Sequence, residues 1–186
     1  MTLIDKTYFT GEITLPNIPT SAWDASGGVG VGLALQTVGE NSLDVFVDKY
    51  VTDYLIKLLG REMTLNFLDG LKQTTPLQIW LDLKDVLLTE IGSCKTSPLA
   101  YYVYFHVMSD AVTKTTTGGE ADPEFDFAKN ASSKHKMINA WNNMVEMTYP
   151  IVYWLKKHAA DYSTYYDCGC GIHINELLRP INQFGI

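Results

Sequence analysis

A chain of 186 residues, 46% hydrophobic and 19% charged, is long enough to bury a core and suits one globular domain. Its formal charge of −7 excludes a globally basic surface that would hold nucleic-acid phosphates, and Lys/Arg runs stop at two residues. An acidic balance suits an ordinary soluble protein, or the wall of a channel through which DNA slides without sticking. No apolar run approaches the roughly 20 residues that cross a bilayer, and the start lacks the charged and apolar regions of a signal peptide. Three cysteines make no stapling framework. The expectation is a soluble chain in a reducing cytoplasm with no membrane partner. Its 11 Tyr and 4 Trp serve a core and a protein interface equally well.

In chain order, residues 1–40 read as an extended arm and a Gly-rich linker. Gly11, Pro16 and Pro19 break a β-branched and aromatic stretch, in which Phe9, Ile13 and Leu15 alternate as a short strand. One strand cannot satisfy its own backbone, so it must pair elsewhere or with a neighbouring chain. Ser26–Gly32 is glycine-rich but lacks the Gly-Lys-Ser/Thr ending of a phosphate loop, which leaves a linker.

Residues 41–160 read as the helical domain. Asn41–Gly60 is the clearest amphipathic helix: Val47, Tyr50, Val51, Tyr54, Leu55, Leu58 and Leu59 share one face, Asn41 or Ser42 caps it, and Gly60 stops it. Glu40, Asp44, Asp48 and Asp53 read as its solvated side. Thr64–Leu71 offers Leu65, Leu68 and Leu71 on one face. Thr75-Pro76 opens a helix that Gly92 ends, and Ser97-Pro98 opens another that is apolar nearly all round, the mark of a central helix. His106 within it reads as a hydrogen-bonded core or interface histidine, because no second ligand lies at helical spacing. Thr113–Thr117 is a short β segment leading to a polar loop, Glu120–Asn130. The last long helix starts near Ser132 or Ser133, and Pro150 predicts a kink or break. Residues 161–186 form an irregular tail that docks through Ile174, Leu177, Leu178 and Ile181. The fold class is therefore mainly α, a bundle of about four to five helices.

One cluster offers chemistry: Cys168, Cys170 and His173, with Asp167 beside them and His158 as a further candidate. Structural zinc favours cysteines two to four residues apart and four ligands, whereas one residue separates this pair and the fourth ligand is unassigned. Free thiols in a turn are the other reading. A Cys170–His173 nucleophile lacks an orienting third residue and an oxyanion donor. No Ser/His/Asp order, HExxH, Walker or dinucleotide motif is present. The expectation is no catalytic residue, no cofactor and no enzyme.

The order IDKTYFTGEITLPNI, KLLGREM, SPLAYYVYFHVMSDAVTKTTTGGE and INAWNNMVEM resembles structural proteins from the virion gene blocks of tailed phages and prophages of Bacteroides-type bacteria, including crAss-like phages, and broadly the head–tail connector (adaptor) family. The glycine-rich Ser26–Gly32 departs from that pattern. The resemblance implies a mainly helical, non-enzymatic virion protein of the neck that assembles in the host cytoplasm, typically as a ring of twelve copies. Its partners would be further copies of itself, the portal protein and the next neck or tail component, with DNA passing through unbound. The arm and the tail would reach across subunit boundaries, through Tyr8, Phe9, Ile13 and Leu15 and through Ile181 and Phe184. Another neck or tail-completion protein, a small zinc or thiol protein, and a bacterial interaction module are the alternatives.

Overall fold

The computed structural model describes residues 3–15, 43–91, 94–112, 114–116, 119–121, 127–162 and 171–182. Six helices carry these residues: α1 (Leu43–Leu59), α2 (Arg61–Leu71), α3 (Gln78–Leu87), α4 (Pro98–Val112), α5 (Phe127–Lys157) and α6 (Gly171–Leu177). Two short antiparallel hairpins complete them, β1 (Thr89–Ile91) with β2 (Cys94–Thr96), and β3 (Lys114–Thr116) with β4 (Gly119–Ala121). The chain is mainly α, as its periodicity predicts.

α4 is central, packing on both α1 and α5. Leu99, Ala100, Tyr102 and Val103 are wholly buried, and Tyr101, Tyr104 and Val107 nearly so. Ser97 opens the helix as expected: its Oγ accepts from the Leu99 N–H at 3.2 Å and donates to the Leu87 carbonyl at 2.8 Å. α1 buries the face its spacing predicts, with Tyr54, Leu55, Leu58 and Leu59 at 0% exposure. Gly60 then turns the chain at φ 82, a conformation that costs a side-chain-bearing residue dearly, and its carbonyl accepts from both the N–H and the hydroxyl of Thr64. α2 follows at once.

Several expectations are corrected. Residues 3–13 form two 3-10 turns, Lys6–Tyr8 and Gly11–Ile13, rather than a strand, and they pack on β2, α4 and α5. Leu3, Ile4, Tyr8, Phe9 and Ile13 are buried in the chain's own core. At about 1.5–3 kcal/mol per fully buried apolar side chain, these contribute on the scale of a domain's whole stability of about 5–15 kcal/mol. The segment is core, not a free arm. α2 buries Met63, Phe67 and Leu71 at four-residue spacing, which leaves Leu65 52% exposed instead of packed. α3 starts at Gln78 rather than Pro76, and ends at Leu87 because Thr89–Ile91 is taken into a hairpin. α5 begins at Phe127 and runs through Pro150 without a break. Pro150 is exposed, and so is Glu146, whose carbonyl loses its helical donor there, so water can take the bond. The tail contains α6, with Leu177 wholly buried and Ile174 and Leu178 packed on the core. The linker Ser26–Gly32 lies outside the described residues.

Gly70 shows how tightly α2 and α3 meet. A Cβ built there would lie 2.4 Å from both Cδ1 and Nε1 of Trp80. Gly70→Ala is expected to destabilise the fold by about 1–3 kcal/mol, as overpacking does, while Leu65→Ala on the exposed side of α2 stays within about 0.5 kcal/mol of the parent; urea unfolding of both checks this.

Candidate functional site

The densest polar and aromatic cluster among the described residues lies where α1 meets α4. Asp53 and Lys57, one helical turn apart on α1, form an ion pair at 3.1 Å. Tyr102 on α4 donates to Asp53 at 2.5 Å and accepts from Lys57 at 2.8 Å. Lys57 also reaches Glu176 of α6 at 4.0 Å, drawing the tail helix to the same point. One turn earlier on α1, Tyr50 donates to Asp110 at 3.0 Å and accepts from Lys49 at 3.2 Å. His106 lies between the two sets. Its ring stacks on Tyr50 at 4.3 Å and meets Tyr102 edge-on at 4.5 Å and Phe105 at 5.4 Å.

The electrostatics follow from burial and neighbours. Burial raises the Asp53 carboxyl, but the Tyr102 hydroxyl and the Lys57 ammonium outweigh it and hold the group below its ordinary range. Tyr102 is raised far above a normal phenol, by burial first and then by the Asp53 carboxylate it faces. Burial, then Lys57, lowers His106 despite Asp53 and Asp110. The ring is therefore neutral at pH 7. Its Nε2 is buried with no hydrogen-bond partner among the described residues, so the expected hydrogen-bonded histidine is instead held by its ring faces.

Chemically the cluster is a clamp. Tyr102 is 0% exposed, and neither of the two clefts found is lined by Tyr50, Asp53, Lys57, Tyr102 or His106. Tyr102 is covered, while Lys57 and Asp53 keep 26% and 43% of their side chains exposed at the rim of the cluster. The larger cleft, about 510 Å³, lies between the N-terminal turns, α3 and β2. Asp5 and Asp85 offset Lys84 and Lys95 on its walls, and its other lining residues are Leu3, Ile4, Tyr8 and Leu88. Nothing there is a nucleophile with a base.

A second polar anchor fixes the N-terminal turns. Glu12 accepts from the Tyr101 hydroxyl of α4 and from the Asn143 amide of α5, the latter at 2.9 Å. The C-terminal segment is laid along α5 in a similar way. The Asn142 side chain exchanges two hydrogen bonds with the backbone of Ile181, at 2.9 and 3.0 Å, and Trp141 donates to the Arg179 carbonyl at 2.8 Å.

The residues expected at interfaces divide accordingly. Tyr8, Phe9 and Ile13 are buried within this chain, Leu15 packs on the core, and Ile181 is half-buried against α5. Phe184, Cys168 and Cys170 lie outside the described residues, and of His173 only its place in α6 is described. His158 is engaged elsewhere: its Nδ1 lies 2.9 Å from the Trp154 carbonyl and its ring stacks on Trp154 at 4.3 Å. Among the described residues no three His, Cys, Asp or Glu side chains are grouped to hold a metal. The Asp53–Lys57–Tyr102 clamp is absent from the sequence reading, which takes Asp53 as solvated. The Asp53/Lys57 spacing of four was its one available signal.

No protein-family model, curated protein or solved structure matches this chain.

The lowered His106 pKa has a definite sign. Below the ordinary value of 6.5 the unfolded chain binds a proton at this position that the folded chain resists, so stability is lost as pH falls through and below that value. The urea midpoint is expected to drop between about pH 7.5 and about pH 5, and His106→Phe, which keeps the stack on Tyr50 but cannot ionise, is expected to flatten that drop. Equal slopes in parent and variant would remove His106 as the cause.

Proposed function

We propose that this chain is a structural virion protein of a phage neck, a head–tail connector subunit that assembles with copies of itself between portal and tail. The observation that carries the reading is the order of four sequence segments, which resembles that of such proteins. What supports it in the structure is where those segments fall. IDKTYFTGEI makes the buried N-terminal turns, KLLGREM the α1–Gly60–α2 junction, SPLAYYVYFHVMSDAV the central α4, and INAWNNMVEM the part of α5 that packs on α4. The end of the first segment, residues 16–18, lies outside the described residues, and the third runs on into the β3–β4 pair, so it is the greater part of these segments that falls in the bundle.

The other support is the use of the polar groups. The densest cluster closes helices onto one another and lines neither of the two clefts described above, which suits a protein whose work is done by its surface. No helix of the described residues is long and apolar enough to cross a membrane.

Burial of the N-terminal turns changes how the assembly is tested. Removing the first sixteen residues would take away core as well as any reach to a neighbour. Native mass spectrometry of the intact chain, alone and mixed with the portal protein of the same genome, is the direct measurement. The expected result is a portal-bound species containing several copies of this chain; a chain that ignores the portal at micromolar concentrations would turn the reading toward another neck position or an unrelated interaction module.

A further inference from the structure

The charge of this chain is unevenly divided. α5 carries five lysines against one glutamate and no aspartate or arginine, so this helix holds +4 in a chain of −7, leaving −11 on the rest. Lys134, Lys136, Lys156 and Lys157 are exposed, and none forms an ion pair among the described residues. The same helix shows two exposed tyrosines one turn apart, Tyr149 at 52% and Tyr153 at 74%. Tyr149 is held by its hydroxyl on the Leu178 carbonyl at 3.2 Å, and Tyr153 forms no hydrogen bond among the described residues. Tyrosines flanked by unpaired lysines at Lys156 and Lys157 are the composition of an interface centre with a charged rim.

The complementary composition occurs on this chain. Leu77, the residue before α3, is 57% exposed, and Asp82 and Asp85 of α3 are exposed and free of ion pairs among the described residues. Tyr162, five residues beyond the end of α5 at Lys157, donates to the Ile79 carbonyl at 2.7 Å, so the C-terminal end of α5 and the start of α3 lie at the same edge of the molecule. Burial first, and then the Asp82 and Asp161 carboxylates near it, raise the Tyr162 hydroxyl to about 12.

We propose that the Tyr149–Tyr153–Lys156–Lys157 face of α5 docks on the Leu77–Asp82–Asp85 face of α3 in a second copy of this chain. The inference rests on the self-assembly proposed above and supplies the contact that assembly lacks. Local charge complementarity selects a second copy: outside α5 the chain is acidic and offers aspartates beside an exposed leucine, the counterpart of tyrosines beside lysines. Each copy presents both halves, so a second copy supplies the complement of each.

The test is a charge exchange, read by sedimentation and native mass spectrometry with far-UV circular dichroism to show that each variant folds. The parent is expected to self-associate, more weakly as salt rises. Lys156→Glu with Lys157→Glu, and separately Asp82→Lys with Asp85→Lys, are each expected to weaken association about tenfold or more. All four together restore it, because the signs are again opposite, and Tyr153→Ala weakens it with no change of charge. A parent that stays monomeric alone and on the portal, or a fourfold variant no better than the double ones, overturns the contact. Portal binding that survives every swap would retain the neck reading and remove this interface; association through these faces without portal binding would do the reverse.

Discussion

A helix with no polar side must be covered all round, and α4 is such a helix. Its apolar and aromatic residues face α1, α5 and the N-terminal turns, and exposure of any flank would cost burial that the fold depends on. This explains why residues 3–13 fold in rather than reach out. The flank left between α4 and α5 needs apolar cover, which Ile13 and its neighbours supply, and Glu12 fixes them there by accepting from one residue of each helix. The 3-10 turns meet the backbone's need for hydrogen bonds locally, so no partner strand is required.

The polar residues of the interior serve the same constraint. Tyr102, Tyr54 and Tyr50 bring hydroxyls into an apolar helix interface, and each finds a partner: the Asp53–Lys57 pair, Thr148 at 2.8 Å, and Asp110 with Lys49. A satisfied buried hydroxyl is tolerable and directional, so these bonds set the rotation of α1 against α4 and α5 where apolar contacts alone would permit sliding. His106 is the exception. Its Nε2, without a hydrogen-bond partner among the described residues, is accepted because the ring fills a space bounded by Tyr50, Tyr102 and Phe105.

The sequence made the helices legible where one face was distinct. α1 shows seven of its eight buried positions by spacing alone, Gly60 marks its end, and Ser97-Pro98 marks the start of α4. It was less informative where two patterns compete. Leu65, Leu68 and Leu71 look like a face, but Met63, Phe67 and Leu71 are larger together and win the interior. Thr89–Ile91 continues a helical count, yet its β-branched residues pair with Cys94–Thr96. Alternation over a few residues suggests an N-terminal strand, but it cannot tell a strand from turns that bury the same side chains. The clamp was hidden for another reason: Asp53 and Lys57 look solvated until the partner helix places Tyr102 between them, and no local pattern encodes that pairing.

Rigidity inside bears on what the outside can do. α5 packs on α4 and the N-terminal turns, and its flank carries the tail through Asn142, Trp141 and Tyr149. Pro150 lies on its exposed side, where the missing N–H costs the core nothing. The tyrosines and lysines beyond it are thus presented by a helix that is already ordered. A surface of that kind pays little conformational entropy on binding, and two-torsion tyrosine side chains add little more. The aspartates of α3 are presented by another helix, itself fixed against α2 where Gly70 admits Trp80. A contact between such faces can be weak per residue and still specific, because both sides arrive in their bound shape and only complementary charge satisfies both.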